Sequence, residues 1–340
     1  MTPPKVSIRA VAAAAGVSVT TVSHVLNDVP GKRVSERTRE LVRATAEQMG
    51  YRPNQLARQL RAQRSFTIGL ISDEVVTTPY AGRMVLGAQE AASRRSWLLL
   101  LLNSGFDRDL ERREIQALLA GRVDGVIYAS MYHREVTVPD ELKVVPTVLL
   151  DARADDGELP SVVPDEVGGG YAATRELLRH GHRRIGFVTN EDDIPATRGR
   201  LAGYRSALQD AGVQPDLGLV IGGDDRAPGG FAASSELLRR SDRPTALFCF
   251  NDRMAMGAYQ AAAELGLRVP EDLSVIGFDD QEGVADGLRP GLTTMALPHY
   301  EMGSWAVTTL IERIEDPDQP ATQARLECPL VPRGSVAALS

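Results

Sequence analysis

The stretch IRAVAAAAGVSVTTVSHVLN, residues 8–27, decides the reading of the chain's head. Ser7 can cap a helix over 8–15, and Gly16 supplies the break after it. Ser18 can cap a second helix over 19–27. Ala12 and Ala15 are small enough for the two helices to approach, and Val17, Val22 and Val25 form a packing face. Val19, Thr20, Thr21, Ser23, His24 and Asn27 are left outward. Short polar side chains near a helix N-terminus can reach base edges or phosphates in a major groove. The loop VPGKRVS leads to a third helix over 36–49, capped by Ser35 and ended by Gly50. After the break at Pro53, NQLARQLRAQR is helix-like with too little apolar face to pack alone, which predicts a linker that folds on binding.

Charge separates this head from the rest. Residues 1–64 carry 11 Lys and Arg against 4 Asp and Glu, whereas the remainder carries 27 against 41. A basic module joined to an acidic one suits a polyanion binder fused to a sensor of uncharged ligands. The full chain has 340 residues, 43% of them hydrophobic, which predicts two or three domains. No apolar run is long enough to span a membrane, and MTPPKVSIRA does not read as an export signal, so a cytoplasmic location is expected. Two cysteines, Cys249 and Cys328, suggest neither a disulfide framework nor a metal site, and no cofactor is expected.

From Phe66 onward, apolar strand-like runs alternate with helical stretches. The strands are FTIGLIS, WLLLLLN, VDGVIYAS, VPTVLLD, RRIGFVTN, TALFCFND and LSVIGFDD. Helices are expected over 81–94, 108–120, 167–180, 198–211, 229–240 and 252–265. This alternation predicts parallel α/β sheets. No dinucleotide-binding or Walker A signature is present. The GGG at 168–170 opens a helix and is a weak signal for anion binding. In open α/β sheets ligands sit beyond the carboxyl ends of strands, so Asp73, Asp151, Asn190, Asn251, Asp252 and Asp279 are candidates, with Arg200 at a helix start. Carboxylates, amides and an Arg suit the paired hydroxyls of a sugar. The second acids, Asp252 and Asp280, are expected to cap helices or bond loop amides. His133, in MYHR at a strand end, is a lesser candidate.

The head motif stands at Val11, Ala12, Ala15, Gly16, Val17, Ser18, Thr21, Val22, Ser23, Val25, Leu26 and Asn27. With RVSERTRELV, GYRPNQLARQLR, RVDGVIYA, HGHRRIGFV, FNDRMAMGAY and GLRVPEDLSVIGFDD, it resembles the lactose/galactose repressor (LacI) family over nearly the whole chain. The resemblance implies a helix-turn-helix head over 1–50, a hinge helix over 51–64, and an effector-binding and dimerisation domain over 65–340. That domain would be like periplasmic binding proteins, with two doubly wound parallel-sheet lobes. Lobe 1 is expected over 65–163 and 293–323, and lobe 2 over 164–292 and 324–340.

The resemblance also assigns roles. Val19, Thr20 and His24 fall on base-reading positions, and Thr21, Ser23 and Asn27, beside Ser18, on backbone-touching ones. Leu60 falls on the hinge leucine that wedges into the minor groove, with Asn54, Ala57, Arg58 and Arg61 around it. An apolar wedge kinks the duplex while flanking arginines neutralise phosphates. Arg200, Asn251 and Asp279 match polyol-binding positions, and Asp151 a further one. Tyr80 stands where an aromatic ring lines the pocket. Asp225, Leu297 and His299 fall on variable wall positions. Two departures matter: His24 replaces the usual Arg, which predicts an altered half-site, and Ala10 removes one bond of a capping box.

The expected function is a homodimeric, DNA-binding repressor on a near-palindromic operator, controlled by a sugar. The same architecture can serve an activator or a co-repressor-dependent regulator. A transport sugar-binding protein would need an export signal and no DNA head, and a sugar enzyme would need a nucleophile or metal motif. LVPRGS, residues 330–335, reads as native strand and tail.

Overall fold

The structure, a computed structural model, describes residues 6–26, 34–51, 62–75, 81–154 and 157–339. The chain divides into two compact units, Met1–Ser65 and Phe66–Ser340.

The first unit holds α1 (Ile8–Ala15), α2 (Val19–Leu26) and α3 (Glu36–Gln48). Ser7 Oγ accepts from the Ala10 amide at 3.2 Å, so the cap forms without its reciprocal partner. Gly16 closes α1 in the left-handed region at φ 65°, which costs little only for glycine. The chain turns through 104° between α1 and α2, within the range of a helix-turn-helix. Val11, Ala12, Ala15, Val22, Val25, Val42 and Ala46 bury one shared core. Burial of each valine contributes about 1.5–3 kcal/mol, which offsets much of the ordering cost in so small a unit.

The second unit holds two six-stranded sheets. Sheet 1 has the order β11-β5-β4-β3-β1-β2, from β1 (Thr67–Ser72), β2 (Leu98–Asn103), β3 (Gly125–Glu135), β4 (Thr147–Arg153), β5 (Ser161–Pro164) and β11 (Gln323–Leu326). Its helices are α4 (Gly82–Arg94), α5 (Arg108–Ala120) and α10 (His299–Glu315). Sheet 2 has the order β12-β10-β9-β8-β6-β7, from β6 (Ile185–Asn190), β7 (Val220–Gly223), β8 (Ala246–Cys249), β9 (Ser274–Asp279), β10 (Thr293–Ala296) and β12 (Leu330–Val331). Its helices are α6 (Glu166–Arg179), α7 (Pro195–Asp210), α8 (Ala227–Leu238) and α9 (Asp252–Glu264). Within each lobe the first five strands run in the order 2-1-3-4-5. The strand order therefore reverses between β1 and β3 and between β6 and β8, the points where such sheets bind ligands.

Two expectations need correction. Residues 293–296 belong to lobe 2, because β10 pairs in parallel with β9, Thr293 opposite Ile276. Residues 324–326 belong to lobe 1, because β11 pairs with β5, Gln323 opposite Ser161. The two parallel-sheet lobes stand as expected, with the short β12 added antiparallel to β10 at the edge of sheet 2. These strands have four residues or fewer, too short for a pattern to reveal their sheet.

The GGG at 168–170 is a packing device. A Cβ on Gly168 would meet the Asp165 carboxylate at 2.2 Å, on Gly169 the Phe278 ring at 2.6 Å, and on Gly170 the Arg200 backbone at 2.4 Å. Asp165 caps α6 through the Gly168 amide, which fills the place an anion would take. The LVPRGS tail is integral to lobe 2. Ser335 Oγ accepts from the Thr293 amide at 2.8 Å, and Arg333 pairs with Asp280 at 2.6 Å.

Candidate functional site

In the first unit, α2 buries Val22 and Val25 and turns its other faces outward. Val19 is 41% exposed. Thr20 is exposed, and Thr21, Ser23 and His24 are half-buried. Ser18 Oγ accepts from the Thr21 amide at 3.0 Å and bonds Thr21 Oγ1 at 2.8 Å, so these hydroxyls fasten the start of α2. Asn27, Asn54, Ala57, Arg58, Leu60 and Arg61 lie outside the described residues, as does Tyr80.

In the second unit, Arg200 is the centre. It enters from the first turns of α7, which starts a turn earlier than the sequence suggests because Pro195 suits a first helical position. Its side chain is 1% exposed. Nε donates to Glu166 Oε2 at 2.7 Å. Nη1 donates to the Phe250 carbonyl and lies 3.5 Å from Asp279 Oδ1. The guanidinium carbon sits 3.7 Å from the Phe278 ring centre and 4.4 Å from that of Phe250. Burial works against its charge, and Glu166 and then Asp279 more than offset it. Two rings and two carboxylates thus hold one planar cation in a fixed pose.

Carboxylates outnumber that cation. Burial pushes Asp279 up to about 6, and Arg200 and a bond from Gln281 Nε2 at 2.8 Å pull it back. Asp151, wholly enclosed, is pushed far above the usual range by burial and by Glu166. Asp73 is raised by burial as well. Asp151 and Asp279 also adopt positive φ, 55° and 108°. Such strain at strand ends is tolerated where surrounding structure imposes it, often at functional sites.

Lobe 1 reaches this site through an irregular strand. Between the pairs Ala129–Leu150 and Arg134–Ala152, β3 carries residues 130–133 against Asp151 alone. The bulge re-aims Tyr132 and His133 beyond the sheet. His133 is held neutral, its ring brought down to about 4 by burial and by Arg153. His133 Nδ1, Asp151 Oδ1, Thr189 Oγ1 and Gln281 Oε1 are buried polar atoms with no hydrogen-bond partner among the described residues. Such groups at facing strand ends suit a ligand rich in hydroxyls, which donate and accept at once.

Other candidates have partners within the protein. Asn251 Oδ1 caps α9 through the Met254 amide at 2.8 Å, and Nδ2 donates to the Asp225 carbonyl at 2.9 Å. Its amide ties the loop after β8 to the loop after β7. Asn190 Oδ1 accepts from the Asp192 amide at 3.1 Å. Asp225 accepts from Tyr132 and Arg253. Asp252 accepts from the Gln281 amide at 2.7 Å and from Thr294 at 2.6 Å. The helix cap in the Asn251–Asp252 pair is therefore the first residue, not the second. Asp280 faces Arg333. His299 opens α10, 5% exposed, and Leu297 packs on the core of lobe 2.

Residues 7–54 match the bacterial regulatory proteins, lacI family, and residues 174–336 a periplasmic binding protein-like domain. The chain is 36% identical to the ribose operon repressor of Escherichia coli K12 over 331 residues, 97% of this chain and 99% of that one. The chain belongs to the LacI family. Among solved LacI-family structures, the lac repressor dimer bound to operator and the anti-inducer ONPF aligns with TM-score 0.70 at 29% identity, covering 98% of this chain and 100% of that one. An Enterococcus faecium regulator with bound ribose aligns with TM-score 0.68 at 27% identity, covering 81% and 100%.

Within this LacI-family chain, reading the residues missed Glu166, Gln281, Tyr132, Arg253 and both phenylalanines. Phe250 and Phe278 carried a signal, since each directly precedes a polar strand-end residue, Asn251 or Asp279. Glu166 and Gln281 carried none.

Proposed function

We propose that this chain is a sequence-specific DNA-binding transcriptional repressor whose operator affinity is set by a small sugar held between the two lobes of its sensor. The observation that carries this reading is Arg200, fixed by Glu166 and Asp279 between Phe250 and Phe278 at facing strand ends. It lies in the same chain as a helix-turn-helix head. The E. coli relative is a ribose operon repressor, and the E. faecium neighbour holds ribose, so ribose is the first sugar to test. Val19, Thr20 and His24 would read bases, and Thr21, Ser23 and Asn27 the backbone. Leu60 would wedge the minor groove, flanked by Arg58 and Arg61. We read the chain as a cytoplasmic homodimer. The lac repressor neighbour is a dimer on operator, and edge strand β2 exposes Leu98, Leu100 and Leu101. No single helix among the described residues is long and apolar enough to cross a membrane.

The experiment is a thermal-shift screen of the full chain against pentoses, hexoses and disaccharides, paired with selection of binding sites from random DNA. A ligand of the folded state at one hundred times its Kd adds about 2.7 kcal/mol of stability. A sugar-specific rise of several degrees and a near-palindromic consensus are expected. Catalytic turnover of a sugar, or selection of no consensus, would overturn the reading.

A further inference from the structure

Asp225 falls on a variable wall position of the pocket by resemblance, yet its carboxylate is engaged across the lobes. Tyr132, on the bulge of β3 in lobe 1, donates its hydroxyl to Asp225 Oδ2 at 2.5 Å. Arg253, in the first turn of α9 in lobe 2, donates from Nη2 to both the Tyr132 hydroxyl at 2.6 Å and Asp225 Oδ2 at 2.9 Å. We propose that Tyr132, Asp225 and Arg253 form a latch that holds the two lobes closed around the effector, so that they act as positioning residues rather than as contacts to the sugar. The proposal rests on the reading of the cleft as the effector site.

Magnitudes favour the bonds of the Tyr132 hydroxyl over an exposed ion pair between the lobes. Arg198 Nη2 meets Glu135 at 3.2 Å, but these side chains are 47% and 62% exposed, so solvent screens the pair. Arg253 and Asp225, both in lobe 2, are 21% and 23% exposed, and the Tyr132 hydroxyl of lobe 1 accepts from the first and donates to the second. Charge-assisted bonds in such partly dry settings are among the stronger ones.

The latch also abuts the effector arginine. The Tyr132 ring lies 6.3 Å from that of Phe250, and Phe250 in turn covers the Arg200 guanidinium. The Asn251 amide, next to Phe250, donates to the Asp225 backbone. Closing the latch therefore sets the lobe 1 wall against the stacking partner of Arg200. Apparent effector affinity then scales with the closed fraction, and losing the latch lowers that affinity without removing any contact to the sugar.

The test uses the full-length protein and the variants Tyr132→Phe and Asp225→Asn. The first keeps the ring and removes only the hydroxyl. Spin labels at Asp140→Cys and Glu236→Cys, exposed sites on different lobes, report the interlobe distance, with labelled subunits diluted in unlabelled ones. Without sugar, each variant is expected to shift population toward longer distances. With ribose, each is expected to raise Kd roughly tenfold through faster dissociation, and the double variant to add little. An unchanged distance distribution in Tyr132→Phe overturns the latch. A raised Kd with an unchanged distribution does so too, and makes Tyr132 a sugar contact. A wild-type protein that ignores ribose defeats the ribose reading alone, since the sugar-free distances still decide the latch.

Discussion

Arg200 donates from Nε to Glu166 Oε2 at 2.7 Å, with both side chains almost wholly removed from solvent. Neither charge is tolerable there alone, because desolvation of a lone ion outweighs what packing returns. Arg200→Leu leaves Glu166 and Asp279 buried without a cation, and should cost about 3–5 kcal/mol in urea unfolding. Glu166→Gln keeps an acceptor oxygen and should cost about 1–2 kcal/mol. Equal and small losses would mean that the pair is not the organising contact of the site.

Asp279 gives the sensor a pH dependence of definite sign. Its carboxyl is raised from 3.8 to about 6, chiefly by burial, against the pull of Arg200, Gln281 and Arg253 and with the push of Glu166. The folded state therefore holds a proton that the unfolded state has released between these values. Its stabilising contribution is complete below pH 4 and lost as pH rises through 6. Relative to Asp279→Asn, which cannot titrate, the wild type should lose roughly 1–3 kcal/mol between pH 4.5 and 7.5. Paired denaturation curves check this, and a constant difference between the two proteins contradicts it.

The head offers a change of preference without loss of fold. His24 is half-buried on α2 and presents one donor or acceptor, whereas an arginine can bond guanine bidentately. His24→Arg should move the selected half-site toward guanine at one position, as read by binding-site selection. Gly16→Ala, at φ 65°, should instead cost about 1 kcal/mol of head stability with the preference intact. Leu60→Ala should weaken specific binding more than non-specific binding. Equal losses would remove the wedge assignment.

Much of this was legible in the sequence, and the limits are physical. Caps and periodicity mark local events, so Ser7, Gly16 and Ser35 bound their helices where the residues say. Strand-end polar residues were legible as a set, because buried strands read as continuous apolar runs. What those residues do was not legible. Asp225 is engaged by Tyr132 and Arg253, and Asn251 by Asp225, all distant in sequence, so only the three-dimensional arrangement reveals those bonds. The bulge that aims Tyr132 at lobe 2 is a mismatch of register, invisible in a single strand's pattern. Strands β10 and β11 were missed because four residues carry no period, whereas LVPRGS reads as a strand and forms β12.

Edge strand β2 predicts how copies associate. Leu98 and Leu100 point the same way and are 58% and 40% exposed. A row of leucines with unpaired backbone on a sheet edge is unfavourable in water and suits burial against another chain. Leu100→Lys should yield monomers in light scattering at micromolar concentration, with operator affinity lowered accordingly. Dimers unchanged by Leu100→Lys would place the interface elsewhere.

The most direct test of sugar-controlled DNA binding is operator affinity by fluorescence anisotropy, measured at fixed salt with and without saturating ribose. Wild-type protein should bind operator roughly 5- to 150-fold more weakly with ribose, the span of a coupling of 1–3 kcal/mol. Arg200→Lys, which loses the forked donor set, should show little response. Ribose that binds by calorimetry yet leaves operator affinity unchanged would contradict the account, and ribose that tightens operator binding would contradict induction.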